Sequence, residues 1–524
     1  MTKKSAPSTS RSKENVKKHE QFANEQMHLP EVSTQVMAAQ KLAKAEFSKG
    51  QALLILTTES RLSKLVLPVA LKARLQTQLD RADEKPKAGA LISLPAQSSK
   101  DADVAISLYP TDSSAFELLT HAKKSLKALL QKTHTNLFIF IDGAKDENLV
   151  ADCLGSALAA RLFQMPLFGK KTEKLKPWHL KEVSLLGGKT IEKSFVTGFS
   201  KGNGSNVVRY LATLPPNILD PQTYHQRIKK LCAQFGFEHS FHSSKQLAQM
   251  GAGSFYAVDR GDPESAGGIH EMTYNPRGAK NKDWICLVGK GLCFDTGGYD
   301  IKTGGFMATM KGDMGGSAVA IANMIVAATL KLPIKMKAFL GVTKNLISPV
   351  AYTCDEVVTA MNGVSIEVVN TDAEGRMVLA DVLCLADKAK PSLIMDFATL
   401  TGSAVRSIGT QWSAGFTNQD KWHSKIVECG AESGERVWTF PTPKEYEKKL
   451  ESPIADTLQC SRSTGIDHIL AAIFLKKFVG EKTPWVHIDL ASAENDGGLA
   501  HTDTMFTGYG VRFSIEFLRN FAKV

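Results

Sequence analysis

Long apolar runs are missing from the 524 residues. The longest candidates are broken by Lys, Asp or Gly within a dozen residues, short of the ~20 needed to cross a bilayer, so no membrane role is expected. A C-x2-C pair is missing as well. The eight cysteines, at 153, 232, 286, 293, 354, 384, 429 and 460, fall mostly in apolar stretches and read as buried reduced thiols. The first thirty residues hold six Lys/Arg and three Glu but no apolar h-region, which argues against a secretory signal. A cytoplasmic location is therefore expected, with an organellar transit peptide as the alternative. HExxH, H-x-H and Cys/His zinc spacings are absent, Gly289-Lys290-Gly291 lacks the rest of a phosphate loop, and no G-x-S-x-G nucleophile elbow occurs. His239 and His242 lack partners of suitable spacing and read as surface residues of a connection. His487, inside an apolar strand, reads as a hydrogen-bonded core histidine.

What is present is the composition of an ordinary globular protein: 43% hydrophobic, 22% charged, mean hydropathy −0.13. The length exceeds one typical core and predicts two domains. Net charge is +11, and residues 1–200, with 30 Lys/Arg against 20 Asp/Glu, carry nearly all of it. This leaves a second reading open, a DNA-binding or architectural protein using the basic N-terminal half. No basic motif interleaved with aromatics accompanies the charge, so a solvated surface is the preferred account.

The pattern is α/β. Residues 1–45 read as a basic, disordered tail. Apolar runs at 52–56, 90–94, 104–109 and 137–142 alternate with helical stretches 115–130 and 150–163, giving a smaller N-terminal α/β domain over 46–190. A Gly/Lys/Ser-rich segment near 187–205, then a helix broken by Pro215-Pro216, marks the domain boundary and reads as a linker over 191–214. Strand-like runs at 285–289, 336–343, 366–370, 393–399 and 485–491, separated by helical patterns, predict a larger C-terminal domain over 215–524 with a mixed central sheet flanked by helices.

Sites in open α/β sheets form beyond the carboxyl ends of strands. Strand 285–289 runs into GKGLCFDTGG, presenting Lys290 and Asp295. Asp313 opens a long helix beginning at DMGGSA, where Gly315 and Gly316 permit close backbone approach. Strand 366–370 leads into TDAEGR, with Asp372 and Glu374 on one turn. Each acid alone reads as a helix cap or turn residue. Four together, uncompensated, would repel one another unless dispersed over the surface or holding cations, and oxygen donors suit Mg, Mn or, with fewer ligands, Zn; Lys290, Lys302 and Arg376 beside them after strand ends make a shared site harder to dismiss.

These segments resemble the leucine aminopeptidase (cytosol aminopeptidase) family of two-metal exopeptidases. NTDAEGRMVLAD at 370–381 is similar to that family's signature, and VGKGLCFDTGGYDIK (288–302), MKGDMGGSA (310–318), DFATLTGSA (396–404), PWVHIDLA and TGYGVR extend the likeness over roughly 210–524. The resemblance implies a metal-dependent aminopeptidase acting on peptides, with two divalent ions per subunit (Mn or Zn) bridged by Asp295 and Glu374. It implies Lys290 and Asp313 at one ion and Asp372 at the other, Lys302 polarising the scissile carbonyl, and Arg376 holding a bicarbonate ion as general base. It further implies a pocket for an apolar first side chain such as Leu or Met, lined by Met310, Thr399, Gly402 and a stretch near Phe506, and a homohexamer of two stacked trimers. A lysine ligates only when neutral, and burial beside two dications is the environment that depresses an amine's pKa. The sequence departs from the family at KNLISPVAYTCDEV (344–357), at ASAENDGG after the last strand, and at Asp300, which places a carboxylate two residues before Lys302. With all seven matched polar residues intact, a catalytically dead relative is the weaker alternative.

Overall fold

The short apolar runs of the N-terminal part assemble into a six-stranded sheet. The computed structural model describes residues 27–38, 42–43, 46–98, 101–174, 176–264, 266–463 and 465–523. Strands β1 (Ser33–Met37), β2 (Gln51–Thr57), β3 (Leu91–Leu94), β4 (Asp103–Leu108), β5 (Asn136–Ile141) and β6 (Glu182–Leu186) lie in the order β1-β6-β5-β2-β4-β3, all parallel except β3. β2 is central and covered on both faces, which is why it reads as the continuous run ALLIL. Of the tail expected over 1–45, residues 1–26 lie outside the described residues. Ser33–Met37, however, is the edge strand beside β6 rather than part of a tail. Its mixed STQVM sequence is half-exposed and carries no apolar run to announce it.

The second sheet holds eight strands. Following β7 (Glu238–Ser243) and β8 (Gly268–Tyr274) come β9 (Ile285–Asp295) and β10 (Met336–Asn345). The short β11 (Val357–Thr359), β12 (Ser365–Glu367) and, later, β16 (Thr457–Leu458) form a separate three-stranded ribbon, while β13 (Leu393–Ala398), β14 (Ser413–Thr417), β15 (Val437–Thr439) and β17 (Trp485–Asp489) return to the main sheet. The main order is β15-β14-β17-β13-β9-β10-β8-β7, with β17, β13, β9 and β10 mutually parallel and antiparallel pairs towards both edges. Successive side chains of β9 serve opposite cores. Leu287 joins the layer containing the helix Gly315–Thr329, and Val288 the layer containing the helix Glu374–Asp387. The chain leaves β9 towards β10 on one side and β13 towards β17 on the other, so the crevice between β9 and β13 is a topological switch point.

Three expectations need correction. The strand expected at 366–370 is only Ser365–Glu367, and it belongs to the ribbon, because its pairing partners are β11 and β16. His239 and His242 sit on β7, not on a connection, and His239 Nε2 lies 3.1 Å from His270 Nδ1. The linker expected over 191–214 is the 25-residue helix Lys189–Thr213. Its glycines serve contact rather than flexibility. A Cβ on Gly198 would stand 1.8 Å from the Asp152 carbonyl oxygen, one on Gly202 2.6 Å from the Ser156 carbonyl oxygen, and one on Gly155 2.1 Å from the Phe195 carbonyl oxygen. The helix Glu147–Leu162 thus lies backbone-to-backbone against Lys189–Thr213, and Asp152 closes the seam through Lys201 (2.9 Å) and Arg512 (2.6 Å). Gly198→Ala should therefore destabilise the protein by about 3 kcal/mol, the upper end of the overpacking range, despite alanine's better helix propensity. Calorimetry showing a melting temperature equal to wild type would contradict this packing account.

Candidate active site

β9 brings the first two polar residues to the switch point. It continues past the apolar ICLV run to Asp295, so Lys290 lies within the strand and not after it, and both side chains are buried. Two glycines make this compact: a Cβ on Gly289 would be 2.5 Å from Ser317 Cα, and one on Gly316 2.0 Å from the Phe397 carbonyl oxygen. The helix Gly315–Thr329 is thereby drawn against β9 and β13, and Asp313, two residues before it, reaches Lys290. From the opposite layer comes the helix Glu374–Asp387, preceded by a turn in which the Asn370 side chain caps Asp372 N.

The side chains converge. Lys290 Nζ is 2.9 Å from Asp313 Oδ2, 3.0 Å from Glu374 Oε1 and donates to the Thr399 carbonyl at 3.0 Å. Lys302 Nζ lies 2.8 Å from Asp295 Oδ2 and contacts Asp372 Oδ1. One oxygen each of Asp295, Asp372 and Glu374 falls within 4.8 Å of the others, the metal-sized His/Cys/Asp/Glu group among the described residues. Four carboxylates thus face two ammonium groups, leaving a deficit of positive charge. Burial, with the neighbouring Asp295 opposing the help from Lys290, raises the Asp313 and Glu374 carboxyls above the usual range, and burial raises Asp372 too. Against the burial that disfavours its charge, Asp313, Glu374 and Asp295 hold Lys290 above the ordinary lysine range. Such an oxygen-rich, under-compensated cluster, with an amine at hand, fits divalent cations.

Arg376 is fully buried two residues further along the same helix. Its Nη2 donates to Asp467 Oδ2 at 2.7 Å and its Nη1 to the Gln459 carbonyl at 3.4 Å, while Nε has no protein partner among the described residues. Of the residues expected to line the first side-chain pocket, Met310 is half-buried on a short turn, Met310–Gly312, against which the Phe506 ring packs. Gly402 is exposed at the start of the helix Gly402–Ile408. Thr399 also holds Asp313, donating from Oγ1 to Oδ1 at 2.7 Å. Asp300 does not pair with Lys302. Its Oδ2 accepts from Thr371 N (2.8 Å), Thr371 Oγ1 (3.1 Å) and Cys354 Sγ (3.1 Å), fastening the turn that carries Asp372. His487 is buried with Nδ1 2.6 Å from Asp396 Oδ1, away from the cluster's ion pairs.

Sequence reasoning missed Asn345 and Tyr352. Asn345 Nδ2 donates to Asp295 Oδ1 (2.9 Å) and to the Thr371 carbonyl (3.0 Å), and Tyr352 OH donates to that same carbonyl at 2.8 Å. The segment 344–357, singled out as a departure from the family, therefore supplies part of the outer support of the cluster.

Residues 206–515 match the family model described as cytosol aminopeptidase family, catalytic domain. The chain belongs to the cytosol aminopeptidase family. It is accordingly a hydrolase of the aminopeptidase class. A probable cytosol aminopeptidase of Aquifex aeolicus is 38% identical over 343 residues, 65% of this chain and 69% of the relative. One of the same description from Chlorobaculum tepidum is 34% identical over 388 residues, covering 72% and 76%. Among solved structures, the bottromycin maturation enzyme BotP in complex with Mn aligns with a TM-score of 0.76 at 28% identity over 90% of this chain and 99% of that one. A mutant tomato leucine aminopeptidase aligns with a TM-score of 0.82 over 95% and 98%, and at 24% identity shows a shared two-domain α/β fold. No helix among the described residues of this aminopeptidase is long and apolar enough to cross a membrane.

Proposed function

We propose that the protein is a two-metal aminopeptidase that removes N-terminal residues, apolar ones such as Leu or Met preferred, from peptides in the cytoplasm, working as a homohexamer. The observation that carries this reading is the convergence of oxygens from the buried Asp295 and Glu374 and the partly exposed Asp372 on one point, flanked by Lys290 and Asp313. In this scheme Asp295, Glu374, Lys290, Asp313 and Asp372 would together hold two divalent ions, Mn or Zn. Bound there, divalent ions supply Lewis acidity and a water acidic enough to act at neutral pH.

The remaining work falls to the protein's own groups. Lys302 is the more accessible lysine, its side chain 13% exposed against 3% for Lys290, and so it is the ammonium able to meet a peptide carbonyl oxygen and donate to it as negative charge develops. Arg376, held by Asp467 and with Nε left over, offers a cationic edge that would hold a bicarbonate ion, which would supply the general base that no side chain of the cluster provides. Met310, Thr399, Gly402 and Phe506 receive the first side chain. Thr399, which also holds Asp313, links that pocket to the ions.

Chelator treatment should abolish hydrolysis of aminoacyl reporter substrates. Re-supply with Mn, Zn, Co or Mg should restore it, Leu and Met reporters leading the panel. Full activity in purified protein free of divalent metal would refute the proposal.

A further inference from the structure

A second charged site lies away from the carboxylate cluster, where the N-terminal helices meet the C-terminal domain. A cavity of about 210 Å³ is lined by Lys123 on the helix Ala115–Leu129, by Arg161 on Glu147–Leu162, by Arg209 on Lys189–Thr213, and by His501 and Asp503, with Lys127 at its mouth. Four permanent cations thus face one carboxylate. Asp503 is only loosely shared between Lys123 (3.6 Å) and Lys127 (3.5 Å), and neither Arg161 nor Arg209 has an ion-pair partner among the described residues.

Arg209 is the telling residue. It is 3% exposed, donates from Nε to Thr504 Oγ1 (2.7 Å) and from Nη1 to Asn206 Oδ1 (2.6 Å), and otherwise meets no acidic group in contact. Burial pushes it down to about 10, with only the more distant Asp503 working against that shift. Burying a guanidinium beside other cations without a counter-ion is unfavourable, so an arrangement that does so is built for an anion it lacks within the chain. His501 adds a second sign. It is 4% exposed, and neither ring nitrogen has a hydrogen-bond partner among the described residues. Burial and the nearby Arg512, Arg209 and Lys123 keep the imidazole neutral, leaving one N–H to donate. Arg161 likewise has an unpartnered Nε, its Nη2 donating to the Leu130 carbonyl at 3.2 Å.

We infer that this cavity is a binding site for a compact tetrahedral oxyanion of the phosphate class, held by Arg209, Arg161, Lys123, Lys127 and His501. Arginine forks and lysines are the usual donors to such an ion. The volume lies below the ~300–1,000 Å³ of pockets that enclose drug-sized ligands, which excludes a peptide or a nucleotide buried whole. Free phosphate and the terminal group of a small phosphomonoester share this chemistry.

The test is titration of inorganic phosphate into the metal-loaded full-length protein by calorimetry at constant ionic strength, with chloride as the reference anion and a hexose monophosphate as a second arm. One phosphate per chain is expected, bound at least tenfold more tightly than chloride. Lys127→Gln combined with Arg161→Gln, neither residue fully buried, should weaken it at least tenfold, whereas Asp372→Asn, at the proposed metal site, should change it less than twofold. Competition by the hexose monophosphate would identify an ester as an acceptable source, and binding of inorganic phosphate alone would restrict the site to the free ion. Phosphate no tighter than chloride, affinity unchanged in the double variant, or affinity lost only in Asp372→Asn would each overturn the inference. Because Asp372→Asn reports on the ions and the double variant on the cavity, failure here is distinct from failure of the two-metal reading.

Discussion

Lys302→Ala should lower kcat by ~10²–10³ while the protein keeps its metal, the loss typical of removing one donor to a developing oxyanion. The structure adds a reason for metal retention. Lys302 Nζ pairs with Asp295 and Asp372, two carboxylates of the cluster, so its removal leaves their charge uncompensated and free to be met by cations. Steady-state kinetics paired with elemental analysis checks both halves. Arg376→Ala should cost less, since water or another anion replaces part of what it positions, and added bicarbonate should stimulate wild type more than this variant. If Lys302→Ala turns over like wild type with its metal in place, the lysine is not the electrophile.

Gly375→Ala should separate folding from metal binding. Position 375 is the second residue of the helix Glu374–Asp387, where alanine is the better helix former by ~1 kcal/mol. Yet the new Cβ would stand 2.6 Å from both Cε and Nζ of Lys290. The lysine end is the flexible partner and must yield, which moves the amine from its place between Asp313 and Glu374. We expect a melting temperature within a few degrees of wild type, a fall in metal affinity of ~10–100-fold or more, and a matching loss of activity. Metal titration followed by calorimetry reads these separately. A variant with wild-type metal affinity would show that Lys290 need not sit where β9 holds it.

The central strands were legible because strands buried on both faces are dominated by apolar runs: ALLIL, the LIM that opens β13 and the ICLV that opens β9 announce themselves. Edge strands were not. Glu238–Ser243 alternates charge, imidazole and hydroxyl because one side of it faces water. The stretch GFSKGNGS failed in the other direction, since small residues that let two helices touch have the same composition as those that let a chain flex. The candidate cluster was legible because each of its parts sits in a short segment with its own pattern. Asn345 was not, since its partners Asp295 and Thr371 are 50 and 26 residues away and nothing local in KNLISPV marks an amide that will hold a carboxylate.

The helix Lys189–Thr213 makes the N-terminal domain hard to exchange. Its first half buries Ile191 and Phe195 in the core of the six-stranded sheet, and its second half buries Val207, Val208 and Leu211 with the helix Gly315–Thr329. The stretch that matches the catalytic family begins at residue 206, inside this one rod. A transplanted N-terminal domain would have to arrive with this helix already continuous, its glycines and lysine seated on Asp152 and Ser156 and its far end carrying the apolar side chains that the Gly315–Thr329 layer expects, or one of the two cores would lose a wall.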